Sequence, residues 1–167
     1  TDELNVKYIL PAFPVTALVV TNFFRDQLDR AREMEQLIES IEGVLEPFQG
    51  TLVLNANDPN VMRLADKAPQ ASVVTFGVAR NQESTRVTGE AAEGKFCPRC
   101  SRPLVYDWYQ YSHIGRFRCE ACGFGTPDTI DVNLEDIDLS AGTFAWNGST
   151  FHNPYAGLYS MYNAAAV

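Results

Sequence analysis

Cys97, Cys100, Cys119 and Cys122 are the only cysteines in the chain, and they fall as two Cys-x-x-Cys pairs separated by eighteen residues. A Cys-x-x-Cys turn presents two sulfurs from one knuckle, and two knuckles complete the tetrahedral thiolate set of a structural zinc. Gly123, directly after the second pair, suits the left-handed backbone of a tight turn. Two disulfides or a redox pair are the rival chemistries. Disulfides belong to small secreted domains short of apolar residues, whereas 46% of this chain is hydrophobic, and its start does not read as a signal peptide. A redox pair would use two sulfurs and leave the other two idle. The expected ligand set is therefore all four cysteines around zinc. Such a site is closed to water and substrate, so it supports a fold and performs no hydrolysis. His113, between the knuckles, is expected to face solvent on a hairpin.

The elements that must carry these knuckles read as an α/β domain. Ala17 to Asn22, Thr51 to Asn55 and Ser72 to Phe76 are short, almost continuous apolar runs, the pattern of strands buried on both faces. Between the first two, Phe24 to Glu42 carries Leu28, Met34, Leu37, Ile38 and Ile41 at helical spacing, with Gly43 as the expected stop. Asp58-Pro59 reads as an N-cap followed by proline at the first helical position, opening a short helix to about Lys67. Strand, helix, strand, helix, strand with short joins predicts βαβ units in a mostly parallel sheet. Gly77 is expected to end the third strand.

Beyond it, residues 81–94 read as irregular, and residues 103–109 and 115–119 as the two strands of a cysteine ribbon. Ile130 to Leu139 and Thr143 to Trp146 read as an antiparallel pair, and residues 157–167 as a closing helical segment. The expected organisation is thus a partial α/β body, residues 1–94 and 126–167, with a zinc ribbon inserted at residues 95–125.

Charge narrows the partners. The chain carries a net charge of −8, which repels phosphate and argues against general nucleic-acid binding. The ribbon alone is positive, with Lys95, Arg99, Arg102, Arg116 and Arg118 against Asp107 and Glu120. Those arginines either contact an acidic partner or simply solvate a thin ribbon; the second reading is favoured. Trp108, Tyr109 and Tyr111 likewise read as a shield for the metal core in preference to a stacking surface for bases. No run of about eighteen apolar residues is long enough for a transmembrane helix.

In an open α/β sheet, ligands gather at the carboxyl ends of the parallel strands. Two such ends are rich in polar groups: Thr21-Asn22 leading to Arg25-Asp26, and Asn55-Ala56-Asn57-Asp58. Taken alone, the second group reads first as a turn and helix cap. In order along the chain, however, Thr21-Asn-Phe-Phe-Arg-Asp-Gln-Leu-Asp-Arg30 resembles a segment of the central ATPase domain of Mur-type ligases. Its form is similar to the branch that makes the ligase subunit of lipid II isoglutaminyl synthase. Leu54-Asn-Ala-Asn-Asp-Pro59, the four-cysteine ribbon and Gly157-Leu-Tyr-Ser-Met-Tyr-Asn163 resemble the later motifs of that branch. Ser160 stands where the family usually has an asparagine, while Asn163 keeps the second one.

The resemblance implies a cytoplasmic, ATP-dependent amidation of D-glutamate in the lipid II stem peptide. Magnesium would serve ATP, and a partner glutaminase subunit would supply ammonia. Nucleotide contacts are then expected from Asn163, Asn22 and Asp26, with Asn55 and Asp58 behind them; Asp29 could help organise the same crevice. Each has a plainer reading as a turn residue, a cap or a charge favouring a helix N-terminus. The chain contains no G-x-x-x-x-G-K-[ST] loop. In the family that loop and a magnesium-binding glutamate lie upstream and a further domain lies downstream, so the chain is expected to be a portion that does not catalyse alone. The competing class is a non-catalytic docking module in which the ribbon meets nucleic acid or protein, or only braces the domain.

Overall fold

The computed structural model of the chain describes residues 3–23, 31–87 and 94–167. A short 3-10 turn leads into α1 (Val6–Ala12) and then β1 (Ala17–Val20). α2 (Ala31–Leu45), β2 (Thr51–Asn55), α3 (Pro59–Met62) with its 3-10 extension Arg63–Lys67, and β3 (Ser72–Val78) follow. A separate hairpin is made of β4 (Val105–Tyr111) and β5 (Ile114–Arg118). The chain then returns through β6 (Val132–Asp138), β7 (Thr143–Trp146), β8 (Ser149–His152) and α4 (Leu158–Ala165).

Six strands form one sheet in the order β1-β2-β3-β6-β7-β8. The first four run parallel, and β7 and β8 add an antiparallel flap beside β6. β2 shows why the strands are apolar throughout. Leu52 and Leu54 point into the core shared with Ile38, Ile41 and Leu45 of α2, while Val53 packs with Phe76, Met161 and Tyr162 on the other face. Alternate residues thus feed two cores, one under α2 and one under α4. Arg63 fastens α2 to the α3 segment, its guanidinium lying 2.7 Å from Glu35 and 2.8 Å from Glu42.

Several expectations shift here. α2 runs through Gly43 to Leu45, which is fully buried. Burying a leucine is worth about 1.5–3 kcal/mol, more than the roughly 1 kcal/mol that a glycine costs inside a helix. β3 likewise continues past Gly77, because Val78 is buried and pairs with Leu134 of β6. A side chain at Gly77 would crowd the Asn57 amide, whose Oδ1 would lie 3.0 Å from an added Cβ. The antiparallel pairing of β6 and β7 matches its expectation, but β6 also joins β3 in parallel. α1, with Pro11 inside it, and the wholly exposed β8 were not foreseen.

The cysteine hairpin is not a free finger. Cys97, Cys119, Phe117 and Phe124 belong to the same core cluster as Leu52, Leu54 and Val61, so the body's core includes cysteines. Ile114 at the other end of the hairpin joins the core under α4. Among the described residues, no helix is long and apolar enough to cross a membrane.

Candidate metal centre and strand-end site

The two knuckles are built alike. Cys97 N–H donates to Arg102 O (2.7 Å) and Ser101 N–H to Cys97 O (2.8 Å). In the second knuckle, Cys119 N–H donates to Phe124 O (2.6 Å) and Gly123 N–H to Cys119 O (3.0 Å). The residue after each second cysteine is left-handed: Ser101 at φ 59° and Gly123 at φ 75°. All four sulfurs lie within 4.8 Å of one another. The shortest separations run between knuckles, Cys97 to Cys122 and Cys100 to Cys119, each 3.5 Å. Disulfide sulfurs would sit at about 2.05 Å. A tetrahedral metal with about 2.3 Å bonds to sulfur spaces them at about 3.8 Å, so this donor set fits one ion.

Electrostatics make the same point. Burial pushes the Cys97 thiol up to about 12. Burial also opposes ionisation of Cys119, but backbone donors at Cys122 and Ala121 prevail and bring it down to about 7. Four crowded sulfurs cannot all carry negative charge without a cation to neutralise them.

Three of the ribbon's arginines, Arg99, Arg116 and Arg118, are engaged with acidic residues. Arg99 grips Asp66 with two 2.6 Å bonds and lies over the Phe124 ring, tying both knuckles to the body. Arg116 and Arg118 both approach Asp107. This pairing offsets the charge of those three arginines within the chain. Of the aromatics expected to shield the metal, Tyr109 stacks on Tyr106 at 4.3 Å, and Tyr106 lies near Phe117 of the cysteine-bearing core cluster. Tyr111 departs from that role: it packs on Tyr159 and Tyr162 of α4 instead.

At the carboxyl ends of β1, β2 and β3 lies a buried polar network. Asn55 Nδ2 donates to Thr21 O (2.8 Å), and its Oδ1 accepts the Asn57 N–H (3.0 Å). Asn57 Oδ1 in turn accepts the Val78 N–H (2.9 Å) and the Tyr162 hydroxyl (3.0 Å). Burial holds that hydroxyl well above the ordinary tyrosine range, so it stays a donor. Asp58 caps α3: Oδ1 accepts the N–H groups of Asn60 (2.8 Å) and Val61 (3.4 Å), and Oδ2 accepts that of Phe23 (3.4 Å). His113 Nε2 lies 3.3 Å from Asp58 Oδ1, and both side chains are 0% exposed. The expectation of a solvent-facing His113 is therefore overturned, because the hairpin tip docks on the body instead of projecting from it.

Asn55 and Asp58 thus sit together, fully buried, in the turn and cap roles that their residue types suggest. Asn22 is half-buried between Thr21 and Phe23, the two residues bonded to Asn55 and Asp58. Asn163 is exposed and follows Tyr162, which holds Asn57. The segments bearing Asn22 and Asn163 therefore converge on one turn. Asp26, with Asp29, lies outside the described residues. Ser160 is used locally: its hydroxyl donates toward Tyr155 O and Gly157 O and accepts from Asn153 Nδ2. Sequence reasoning assigned no role to Asn57 or Tyr162. Only Asn57 carried a signal, as the second asparagine of the strand-end cluster.

No protein-family model matches the chain. Over 168 residues, 99% of its length, it is 32% identical to "Lipid II isoglutaminyl synthase (glutamine-hydrolyzing) subunit MurT" of Staphylococcus aureus strains COL and N315. It is 28% identical over 170 residues to the subunit of the same name from Streptococcus pneumoniae strain ATCC BAA-255 / R6. The chain spans 37% of the length of each of these relatives. A pseudomurein peptide ligase type C from Methanothermus fervidus matches with a TM-score of 0.67 and 27% identity, covering 91% of this chain and 30% of that one. The mixed α/β fold with its mostly parallel sheet is therefore one found in a peptide ligase.

Proposed function

We propose that this chain, a relative of MurT along nearly its whole length, is the nucleotide-facing central part of a cytoplasmic Mur-type ligase subunit. Its reaction would be ATP-dependent amidation of the D-glutamate carboxylate in the lipid II stem peptide, with ammonia delivered by a partner glutaminase. The observation that carries this reading is the match across 99% of the chain to subunits bearing that name. A peptide-ligase fold and a polar network at the carboxyl ends of the parallel strands support it.

Residue roles follow from burial. Asn163 and Asn22, the accessible pair, would contact the nucleotide, Asn163 through an amide that both donates and accepts toward an adenine edge. Asn55 and Asp58 would hold the turn from behind, and Asp26 would complete the crevice. ATP with magnesium would convert the carboxylate oxygen into a good leaving group for ammonia. Zinc, held by Cys97, Cys100, Cys119 and Cys122, would be structural, since four thiolates leave it no open position. The ribbon, residues 95–125, is an insertion in a body made of residues 1–94 and 126–167. With no G-x-x-x-x-G-K-[ST] loop in its sequence, the chain alone should not turn over.

The test is amidation of lipid II by the full-length protein with ATP, magnesium and an ammonium salt, read by mass spectrometry. ATP-dependent product is expected. Asn163→Ala should raise the KM for ATP roughly tenfold, the loss of about one directional hydrogen bond. No product in the presence of ATP, ammonium and the partner glutaminase would refute the reading.

A further inference from the structure

The mechanism above gives the ribbon no part beyond carrying a metal, yet the far end of its hairpin reaches the strand-end turn. β5 is five residues long and joins the two places: Cys119 follows its last residue, and His113 precedes its first. At the metal end, Cys119 is fixed by its knuckle and by three other sulfurs. At the other end, Gly115 N–H donates to Asn57 O (2.8 Å), and His113 Nε2 lies 3.3 Å from Asp58 Oδ1, within ion-pair distance though not in hydrogen-bonding alignment with it. An extended strand advances about 3.4 Å per residue, so Cys119 and Gly115 are about 14 Å apart along a strand stiffened by its partner β4.

The hairpin is also seated sideways. Gln110 Nε2 donates to Ala79 O (2.9 Å), and Gln110 Oε1 accepts from Ser84 Oγ (2.9 Å). Thr85 and Tyr109 exchange backbone bonds of 2.8 Å in both directions. The hairpin is therefore held along its length.

We propose that His113 is a positioning residue for the Asn57–Asp58 turn, and that the ribbon acts as a metal-locked strut setting that turn for the nucleotide. His113 touches neither substrate nor metal ligand in this assignment. It acts through Asp58, whose carboxylate gathers three separate segments: the stretch after β1 at Phe23, the start of α3 and the hairpin tip. The nucleotide half of this inference rests on the functional reading above; the strut half does not.

The experiment has two arms. In the metal-loaded chain, His113→Ala and His113→Gln are compared with the parent by native mass spectrometry and by hydrogen exchange at the Phe23, Asn60, Val61 and Gly115 amides. His113→Ala is expected to retain its metal while those four amides exchange roughly tenfold faster, the scale of one lost buried polar contact. His113→Gln, which keeps a donor of similar reach, should recover part of the protection. If His113→Ala misfolds, His113→Gln alone decides by the same amides. In the full-length protein, His113→Ala should raise the KM for ATP about as much as it loosens the turn, with a smaller change in kcat.

Unchanged exchange at Asn60 and Val61 would overturn the strut. Faster exchange with an unaltered KM would overturn the positioning of nucleotide. A full-length parent that neither binds nor uses ATP would refute the functional reading, and the exchange arm would still decide the strut.

Discussion

The thiol cluster and the strand-end network are both polar groups placed inside apolar cores, yet they solve burial in opposite ways. The network closes on itself: each of Asn55, Asn57 and Asp58 is bonded to a neighbouring main chain or side chain. The thiol cluster cannot close on itself, because four ionisable sulfurs within 4.8 Å repel one another as thiolates and bond only weakly as thiols. One site is finished by the protein alone, and the other offers a donor set that a cation would complete. Dependence on something outside the chain therefore resides in the ribbon, while the strand ends are preorganised.

The largest effect should come from breaking the dependent side. Cys97→Ser or Cys119→Ser removes a ligand that also lies in the body's core. Loss of metal and a fall in stability on the order of 4–5 kcal/mol are expected, or roughly 10 °C or more in Tm. Native mass spectrometry and calorimetry would check both. Cys122→Ser, at an exposed position, should lose metal with a smaller fall. A ribbon that keeps its metal without Cys97 would end the contrast.

Next is the self-contained side. Asn57→Ala leaves the Val78 N–H and the Tyr162 hydroxyl buried without their acceptor. At about 1–3 kcal/mol for each of the two unsatisfied groups, a loss of about 2–6 kcal/mol is expected from denaturant titration, with metal content unchanged. Metal loss in this variant would mean that the two sites are not separable.

The knuckles allow a finer comparison. Gly123→Ala meets no atom within 4 Å of its new Cβ, so only the left-handed backbone opposes it. A cost of about 1 kcal/mol is expected. Ser101→Gly at the matching position should be neutral to about 0.5 kcal/mol stabilising, relief of strain being offset by a freer unfolded chain. Thermal melts of the metal-loaded pair would test this; equal penalties would show that the knuckles differ in more than backbone.

The smallest effect separates the two sites by acid. Metal should leave first as pH falls, because protons compete for the thiolates. Asp131 is held below the ordinary aspartate value of 3.8 by the Thr75 N–H and hydroxyl. Its folded-state value is depressed, so its contribution is fully present above the unfolded value and disappears as pH drops through the folded one. Asp131→Asn should remove only that last, strongly acidic part of the stability profile. An altered metal-release step in this variant would contradict the assignment.

The parts of this structure written in local chemistry were legible beforehand. Two Cys-x-x-Cys pairs, three continuous apolar strands and Asp58-Pro59 each carry their geometry within a few residues. His113 was misread because its burial comes from docking the hairpin tip, which no neighbouring residue announces. Helix α2 overran Gly43 because the pull of Leu45 is tertiary. β8 escaped notice because all four of its residues are exposed and its strand state rests on pairing with β7. The roles of Asn22 and Asn163 were suggested by motif, since an accessible amide says little by itself.

The crossover between the parallel neighbours β3 and β6 spans residues 79–131 and contains the whole ribbon. Parallel partners are usually bridged by a helix that forms on its own. This chain instead entrusts the join to a segment that carries the four-cysteine cluster. A long slack loop slows the search for a distant strand, and a metal holding Cys97 to Cys122 would shorten the slack. Refolding should accordingly be faster when metal is present from the start than when it is added after collapse, which would make the ion a timing element of assembly as well as a brace.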